Sequence, residues 1–287
     1  MPILIIQLAA GLILSALIGY LGYRRGSLSR SGVAGAVIVG TAIFGFGGLA
    51  WGLVLITFFL TSSLLSHYKE SIKEKLAEKF DKGQRRDLGQ ALANGGAGAL
   101  IAAVYLFRQD VLLWAAFVGA MATVNADTWA TELGVLNPQP PRLITTFKRV
   151  EVGTSGGVSL RGTLAALAGA LVIGLAALLF ALAARAIQPA PFLVESAGGG
   201  PELALLPVAA LAGLAGSLFD SLLGATVQAI YYCPTCHKET ERIVHTCGTP
   251  TEHRRGWRWL NNDWVNFISS LFGAAVAAGL FALVVRP

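Results

Sequence analysis

Charge is what this chain has least of. Only 13% of its 287 residues are Asp, Glu, Lys or Arg, about half of the ~25% that a soluble domain carries. Cysteine is scarcer still: three residues, all between positions 233 and 247. The first shortage excludes a disordered chain, a nucleic-acid module and a soluble enzyme, none of which could be solvated with so few charges. The second excludes a disulfide framework and leaves a metal-site pattern in its place. What fills the chain is apolar: 54% hydrophobic residues, 34 glycines and a mean hydropathy of +0.63. These features define an integral membrane protein.

The fold class expected is all-α, a polytopic bundle of about eight transmembrane helices. A bilayer core of about 30 Å takes about 20 helical residues, and suitable stretches fall near 3–22, 32–47, 49–66, 90–107, 111–136, 163–187, 203–230 and 264–285. Gly47 and Gly48 supply the only break between the second and third. The opening run MPILIIQLAAGLILSALIGYLGYRR places its arginines after the apolar stretch, the reverse of a secretory signal, and is read as the first span. Stretches such as GVAGAVIVG, ANGGAGALIAA and LAALAGALVIG let helices approach closely in lipid. The chain is expected to form one membrane domain, 1–287, with inserts at 67–89 and 231–262.

The net charge of +6 and pI near 9.4 would raise the question of nucleic acid in a soluble protein. Here the basic residues instead sort by loop, and no nucleic-acid partner is expected. Nineteen of the 22 Lys and Arg fall in alternate loops: Arg24, Arg25 and Arg30; seven from Lys69 to Arg86; Arg142, Lys148, Arg149 and Arg161; and five from Lys238 to Arg258. The other side keeps Arg108, Arg185 and Arg286. The positive-inside rule makes the rich loops cytoplasmic and puts both termini outside. Within the first large loop, Ile72, Leu76 and Phe80 in YKESIKEKLAEKF recur every four residues, as in an amphipathic helix on the membrane surface.

Polar groups inside spans are costly and mark function by default. Asp87, Gln90 and Asn94 recur along one face of the fourth span. NADTWATELG places Asn125, Asp127, Thr128, Thr131 and Glu132 toward the inner end of the fifth. Asp220 lies in the seventh, and LNNDWVNFISS brings Asn262, Asp263 and Asn266 to the start of the eighth. All four spans direct these groups to the leaflet with the basic loops. Such an oxygen-rich set suits Mg²⁺, which takes one or two carboxylates together with waters and substrate phosphates. On a regular helix Glu132 stands about 140° from Asp127, so either the helix is irregular or the two acids serve different ions. The loop LITTFKRVEVGTSGGVSLRG complements them. Gly153, Gly156 and Gly157 permit an anion nest, Thr154, Ser155 and Ser159 add hydroxyls, and Lys148, Arg149 and Arg161 add charge. Together these point to phosphoryl or nucleotidyl chemistry.

The motifs QALANGG, NADTWATELG, TSGGVSLRG, DSLLGATVQ and LNNDWVNFISS, in that order along nearly the whole chain, resemble the integral membrane family once catalogued as domain of unknown function 92. That family contains plant and cyanobacterial phytyl-phosphate kinase and an animal transmembrane relative. More distantly it is similar to CTP-dependent polyprenol kinases and CDP-lipid synthases, whose Asp-x-x-Ala element followed by Gly is matched by Asp127, Ala130 and Gly134. The resemblance implies a prenyl-phosphate kinase acting in tocopherol or prenyl-lipid salvage. It would use a nucleoside triphosphate, CTP by implication, and a prenyl monophosphate such as phytyl or geranylgeranyl phosphate. On that reading Asp127, Glu132 and Asp220 hold Mg²⁺, with Asn262 and Asn266 completing the catalytic set. Gln90, Asn94, Lys148, Arg149, Thr154, Ser155, Gly156, Gly157 and Arg161 bind phosphates. The protein is expected in a prokaryotic plasma membrane with its active site facing the cytoplasm. A CDP-lipid-forming cytidylyltransferase would use the same groups, and an ion-coupled transporter would also carry intramembrane acids.

Cys233, Cys236 and Cys247 in CPTCHKETERIVHTCG have zinc-knuckle spacing. His245 is the expected fourth ligand, with His253 and His237 behind it, and the alternative is free thiols. Any zinc here is read as a structural clamp on a loop, separate from catalysis.

Overall fold

The computed structural model describes residues 2–69, 85–187 and 201–285. Among them are eight helices long and apolar enough to cross a membrane, the second only when its terminal π-helical turn is included, Arg30–Gly47: α1 Pro2–Arg24, α2 Arg30–Ala42, α3 Leu49–His67, α4 Leu88–Phe107, α5 Val111–Gly134, α6 Leu160–Ile187, α7 Leu205–Thr226 and α8 Asn262–Val285. The thin break expected between the second and third spans is real. A π-helical turn, Ile43–Gly47, ends α2, and Gly48 at φ +86° reverses the chain into α3. That left-handed backbone costs a side-chain-bearing residue but not glycine. Of the amphipathic stretch, Ile72, Leu76 and Phe80 lie outside the described residues.

α5 is the axis of the bundle. Every residue from Trp114 to Ala126 is buried, because α3, α4, α6, α7 and α8 all pack around it. At one end Trp51 of α3 locks α5 in place, its ring centroid 4.5 Å from Phe117, 5.3 Å from Trp114 and 4.9 Å from Tyr105. Midway, Asn125 bridges three helices. Its Nδ2 donates to the Gly169 carbonyl at 2.7 Å, and its Oδ1 accepts from Thr61 Oγ1 at 3.0 Å. Asn125 therefore serves helix packing. Small residues set the spacing elsewhere: a methyl on Gly216 or Gly273 would collide with the Thr123 side chain, so α7 and α8 approach α5 closely.

At the opposite end lie the loops that carry most of the lysines and arginines. A short antiparallel ribbon, β1 Arg142–Leu143 with β2 Gly157–Val158, gathers the α5–α6 connection. The α7–α8 connection is more than a loop: it contains a three-stranded antiparallel sheet in the order β4 Lys238–Thr240, β3 Ile230–Cys233, β5 Glu252–Arg255. β3 begins four residues after α7 ends, so the sheet sits directly on the bundle.

Candidate functional site

A cavity of about 350 Å³ opens at the loop-rich end. Helix direction gives it two kinds of wall. α4, α6 and α8 begin there, presenting Gln90 and Asn94, Gly162 and Thr163, and Asn262, Asp263 and Asn266. Helix N-termini carry partial positive charge and unsatisfied amides, which favour anions. α5 and α7 end there, and they bring the acids Asp127, Glu132 and Asp220.

Asp127 and Asp220 face each other across α5 and α7. Ser217, one turn before Asp220, donates from Oγ to Asp127 Oδ1 at 3.5 Å. Asp220 Oδ2 is buried without a well-formed hydrogen bond, and the buried Ser269 hydroxyl on α8 is the donor beside it. A poorly satisfied buried carboxylate oxygen is costly. A divalent cation between the two acids would satisfy it, so this pair fits the metal that the sequence implied.

Glu132 faces elsewhere. α5 stays regular to Gly134, so Glu132 is turned from Asp127 and accepts a 2.6 Å hydrogen bond from Ser66 Oγ of α3. Arg86 lies beside it. Its Nη1 donates to Ser63 Oγ at 3.1 Å and its guanidinium stands 5.9 Å from the Phe58 ring centroid. Burial draws the Arg86 pKa down, and the Glu132 carboxylate opposes that effect. The main chain fixes Arg86 as well: its amide donates to the Ser27 carbonyl at 3.1 Å and its carbonyl accepts from Ser29 N at 3.0 Å. The helix is regular between Asp127 and Glu132, and the two side chains meet different neighbours, Ser217 and Ser66.

The cations expected to grip phosphate are placed differently from that expectation. Lys148, Arg149 and Arg161 are exposed and do not line the cavity, whereas Arg86 does. Thr154, Ser155, Gly156 and Gly157 do line it. Gly153 and Gly156 both take φ +82°, the left-handed positions that an anion nest needs. Two amides of this loop are already used in turns, Thr154 N to the Glu151 carbonyl and Gly157 N to the Thr154 carbonyl. Gly156 also lies against α7, where an added Cβ would come within 2.6 Å of Ala225 N. Gln90 has a structural duty besides: with Asp87 it forms a capping box, Gln90 N donating to Asp87 Oδ1 at 2.9 Å and Asp87 N to Gln90 Oε1 at 3.1 Å.

Sequence reasoning missed Arg86, Ser66, Ser217, Gln228 and Glu241, all of which line the cavity. Arg86 had a signal, since it is the last cation before the QALANGG element. Glu241 had none, being one acid in a charged insert.

In that insert Cys233, Cys236, His245 and Cys247 each place one ligand atom within 4.8 Å of the others. The Cys233 and Cys247 sulfurs are 3.7 Å apart and His245 Nδ1 is 3.2 Å from Cys247 Sγ. Tetrahedral zinc with bonds of about 2.3 Å to sulfur separates two sulfurs by about 3.8 Å, so the set fits that ion. Hydrogen bonds with Thr249 and His245 bring the Cys247 thiol down to about 6. The hydrogen bond with Cys247, followed by burial, pushes Cys236 up to about 11.

Eight apolar helices with a polar, acid-lined cavity at one end define a multi-pass membrane protein. The chain belongs to the family described as integral membrane protein DUF92, which matches residues 13–274. It is 36% identical over 279 residues to Protein PGR of Arabidopsis thaliana, covering 92% of this chain and 93% of that protein. It is 31% identical over 257 residues to the uncharacterized membrane protein MJ0933 of Methanocaldococcus jannaschii, covering 88% and 86%. It is 27% identical over 261 residues to the chloroplastic Protein VTE6 of Arabidopsis thaliana, covering 87% and 64%. No solved structure matches.

Proposed function

We propose that this protein transfers the terminal phosphoryl group of a nucleoside triphosphate, CTP by family resemblance, to a prenyl monophosphate such as phytyl or geranylgeranyl phosphate. A single observation carries this reading: one cavity holds a facing pair of carboxylates, a glycine loop, three helix N-termini and a half-buried arginine. Two anionic substrates need this combination, because phosphoryl transfer is mainly positioning and electrostatic stabilisation.

Asp127 and Asp220 would hold Mg²⁺. When bound, the ion would neutralise charge on the nucleotide phosphates. Arg86, Thr154, Ser155 and the glycine loop would grip phosphate oxygens, with Asn94, Asn262 and Asn266 orienting them. An oxygen of the prenyl phosphate attacks the terminal phosphorus, a new P–O bond forms and the bridging P–O bond breaks, releasing the nucleoside diphosphate. No protein base is required, since the attacking phosphate is already ionised. The prenyl tail would lie among the alanine- and glycine-rich helices, with the cavity facing the cytoplasm of a prokaryotic cell as the basic loops suggest. Zinc on Cys233, Cys236, His245 and Cys247 would be structural.

Incubation of purified protein with Mg²⁺, each nucleoside triphosphate and a panel of prenyl monophosphates, read by mass spectrometry, tests this directly. A prenyl diphosphate together with nucleoside diphosphate is expected. A CDP-lipid with pyrophosphate would instead define a cytidylyltransferase, and no turnover in any combination would leave transport as the reading to pursue.

A further inference from the structure

The Cys/His insert reaches into the cavity. Glu241, just after β4, is half-buried and lines it, and its Oε1 accepts hydrogen bonds from two separate segments. Ser155 Oγ in the glycine loop donates at 2.6 Å, and Gln228 Nε2, just beyond α7 and buried, donates at 2.8 Å. One carboxylate oxygen thus joins the α5–α6 loop, the end of α7 and the insert. Hydrogen bonds to an ionised acceptor are the short, strong kind.

The Cys/His cluster brackets Glu241 in sequence. It lies five residues after Cys236 and four before His245, so both ends of its short segment are cluster ligands. β4 is held to β3 in the register Cys233↔Lys238, Tyr232↔Glu239, Tyr231↔Thr240. The turn between them is tight, with His237 at φ 54° and its amide donating to the Cys233 carbonyl at 2.9 Å. On β5, Arg255 Nη1 donates to the Gly224 carbonyl of α7 at 3.0 Å, anchoring the sheet to the bundle. Glu241, Gly153, Thr154 and Ser155 also wall a second cavity of about 550 Å³ against the insert. The glycine loop is therefore a partition whose far side is built by the insert.

We infer that Glu241 is a positioning residue: clamped between Cys236 and His245 by the metal cluster, it holds Ser155 and the glycine loop in place at the cavity. The consequence for catalysis rests on the phosphoryl-transfer reading, whereas the mechanical link does not. This revises the view of the insert as a clamp separate from the site.

Hydrogen–deuterium exchange of full-length protein, followed on the peptide spanning residues 150–158, separates the two. Glu241→Ala is expected to speed exchange there by about tenfold, the effect of losing bonds to a charged acceptor, with zinc content unchanged. Glu241→Gln keeps an acceptor oxygen and restores most of the protection. Cys233→Ser, which removes zinc, speeds the same peptide while the α5 peptides keep their protection. Unchanged exchange in Glu241→Ala overturns the inference, as does loss of zinc in that variant, which would make Glu241 a support of the insert. In turnover assays Glu241→Ala should raise the nucleotide KM by roughly tenfold and leave kcat within about twofold. A fall in kcat with KM unchanged would place Glu241 in the chemistry itself and overturn the positioning role. The exchange result stands whichever reaction the cavity performs.

Discussion

Glu132 Oε1 accepts a 2.6 Å hydrogen bond from the Ser66 hydroxyl, which ties α5 to α3 and turns Glu132 toward Arg86 and away from Asp127. The cavity is thereby divided. Asp127 and Asp220 make a wall suited to a cation, and Arg86 with Glu132 makes another whose net charge is close to zero. Neutralising one or the other of the two α5 acids should therefore give different outcomes.

Asp127→Asn and Asp220→Asn should each lower nucleotide turnover by at least about 10²-fold with the fold retained, because a metal-stabilised charge is lost. Glu132→Gln should cost far less than either at saturating Mg²⁺. Steady-state kinetics across a Mg²⁺ series, with circular dichroism for the fold, measure this. Equal losses in all three variants would mean that Glu132 shares the ion.

Arg86→Gln should reduce kcat/KM by about 10²-fold, the usual scale for one preorganised donor to a developing phosphate charge. Lys148→Gln, Arg149→Gln and Arg161→Gln should each stay within about threefold, because their charges are exposed and screened by salt. Parallel kinetics on the four variants decide between a phosphate grip inside the cavity and one on the surface.

Asn125→Ala should lower thermal stability without touching the chemistry. It removes the bonds to Gly169 and Thr61, and a buried polar partner left unmatched costs about 1–3 kcal/mol. A detergent-solubilised melting experiment, with kcat measured well below the transition, separates this packing role from a catalytic one.

Gly156→Ala should be tolerated far less well than Gly157→Ala in turnover assays. Gly156 combines φ +82° with a close approach to Ala225 on α7, and either feature alone disfavours a side chain. Gly157 has no left-handed backbone, although it too is tightly packed.

The protein as purified should contain about one zinc per chain, lost in Cys233→Ser and retained in Asp127→Asn. Elemental analysis checks this. Zinc in neither sample would return the three cysteines to free thiols.

Much of this architecture is legible in the sequence. The eight spans were legible because apolar length is imposed by the bilayer, and the break at Gly47 and Gly48 because only glycine makes that turn cheaply. The convergence of Cys233, Cys236, His245 and Cys247 was legible because residues that can share one metal ion keep short spacings. Asp127 and Asp220 stood out as acids where lipid tolerates few. What stayed hidden depends on approach in three dimensions. Arg86 looked like one of seven loop cations until the pairing of its backbone with Ser27 and Ser29 aimed it inward. Gln90 lines the cavity as a phosphate-binding residue would, but that its side-chain oxygen also caps a helix was not legible. Glu241 enters the cavity only because an insert distant in sequence from Ser155 folds back over it.

The pairing of Asp127 with Asp220 on one divalent ion is tested most directly by Mn²⁺ titration of the purified protein with CTP present, followed by electron paramagnetic resonance. The wild-type protein should bind Mn²⁺, and both Asp127→Asn and Asp220→Asn should lose that signal with their helical content intact. Retention of wild-type Mn²⁺ binding in both variants would contradict the assigned metal site.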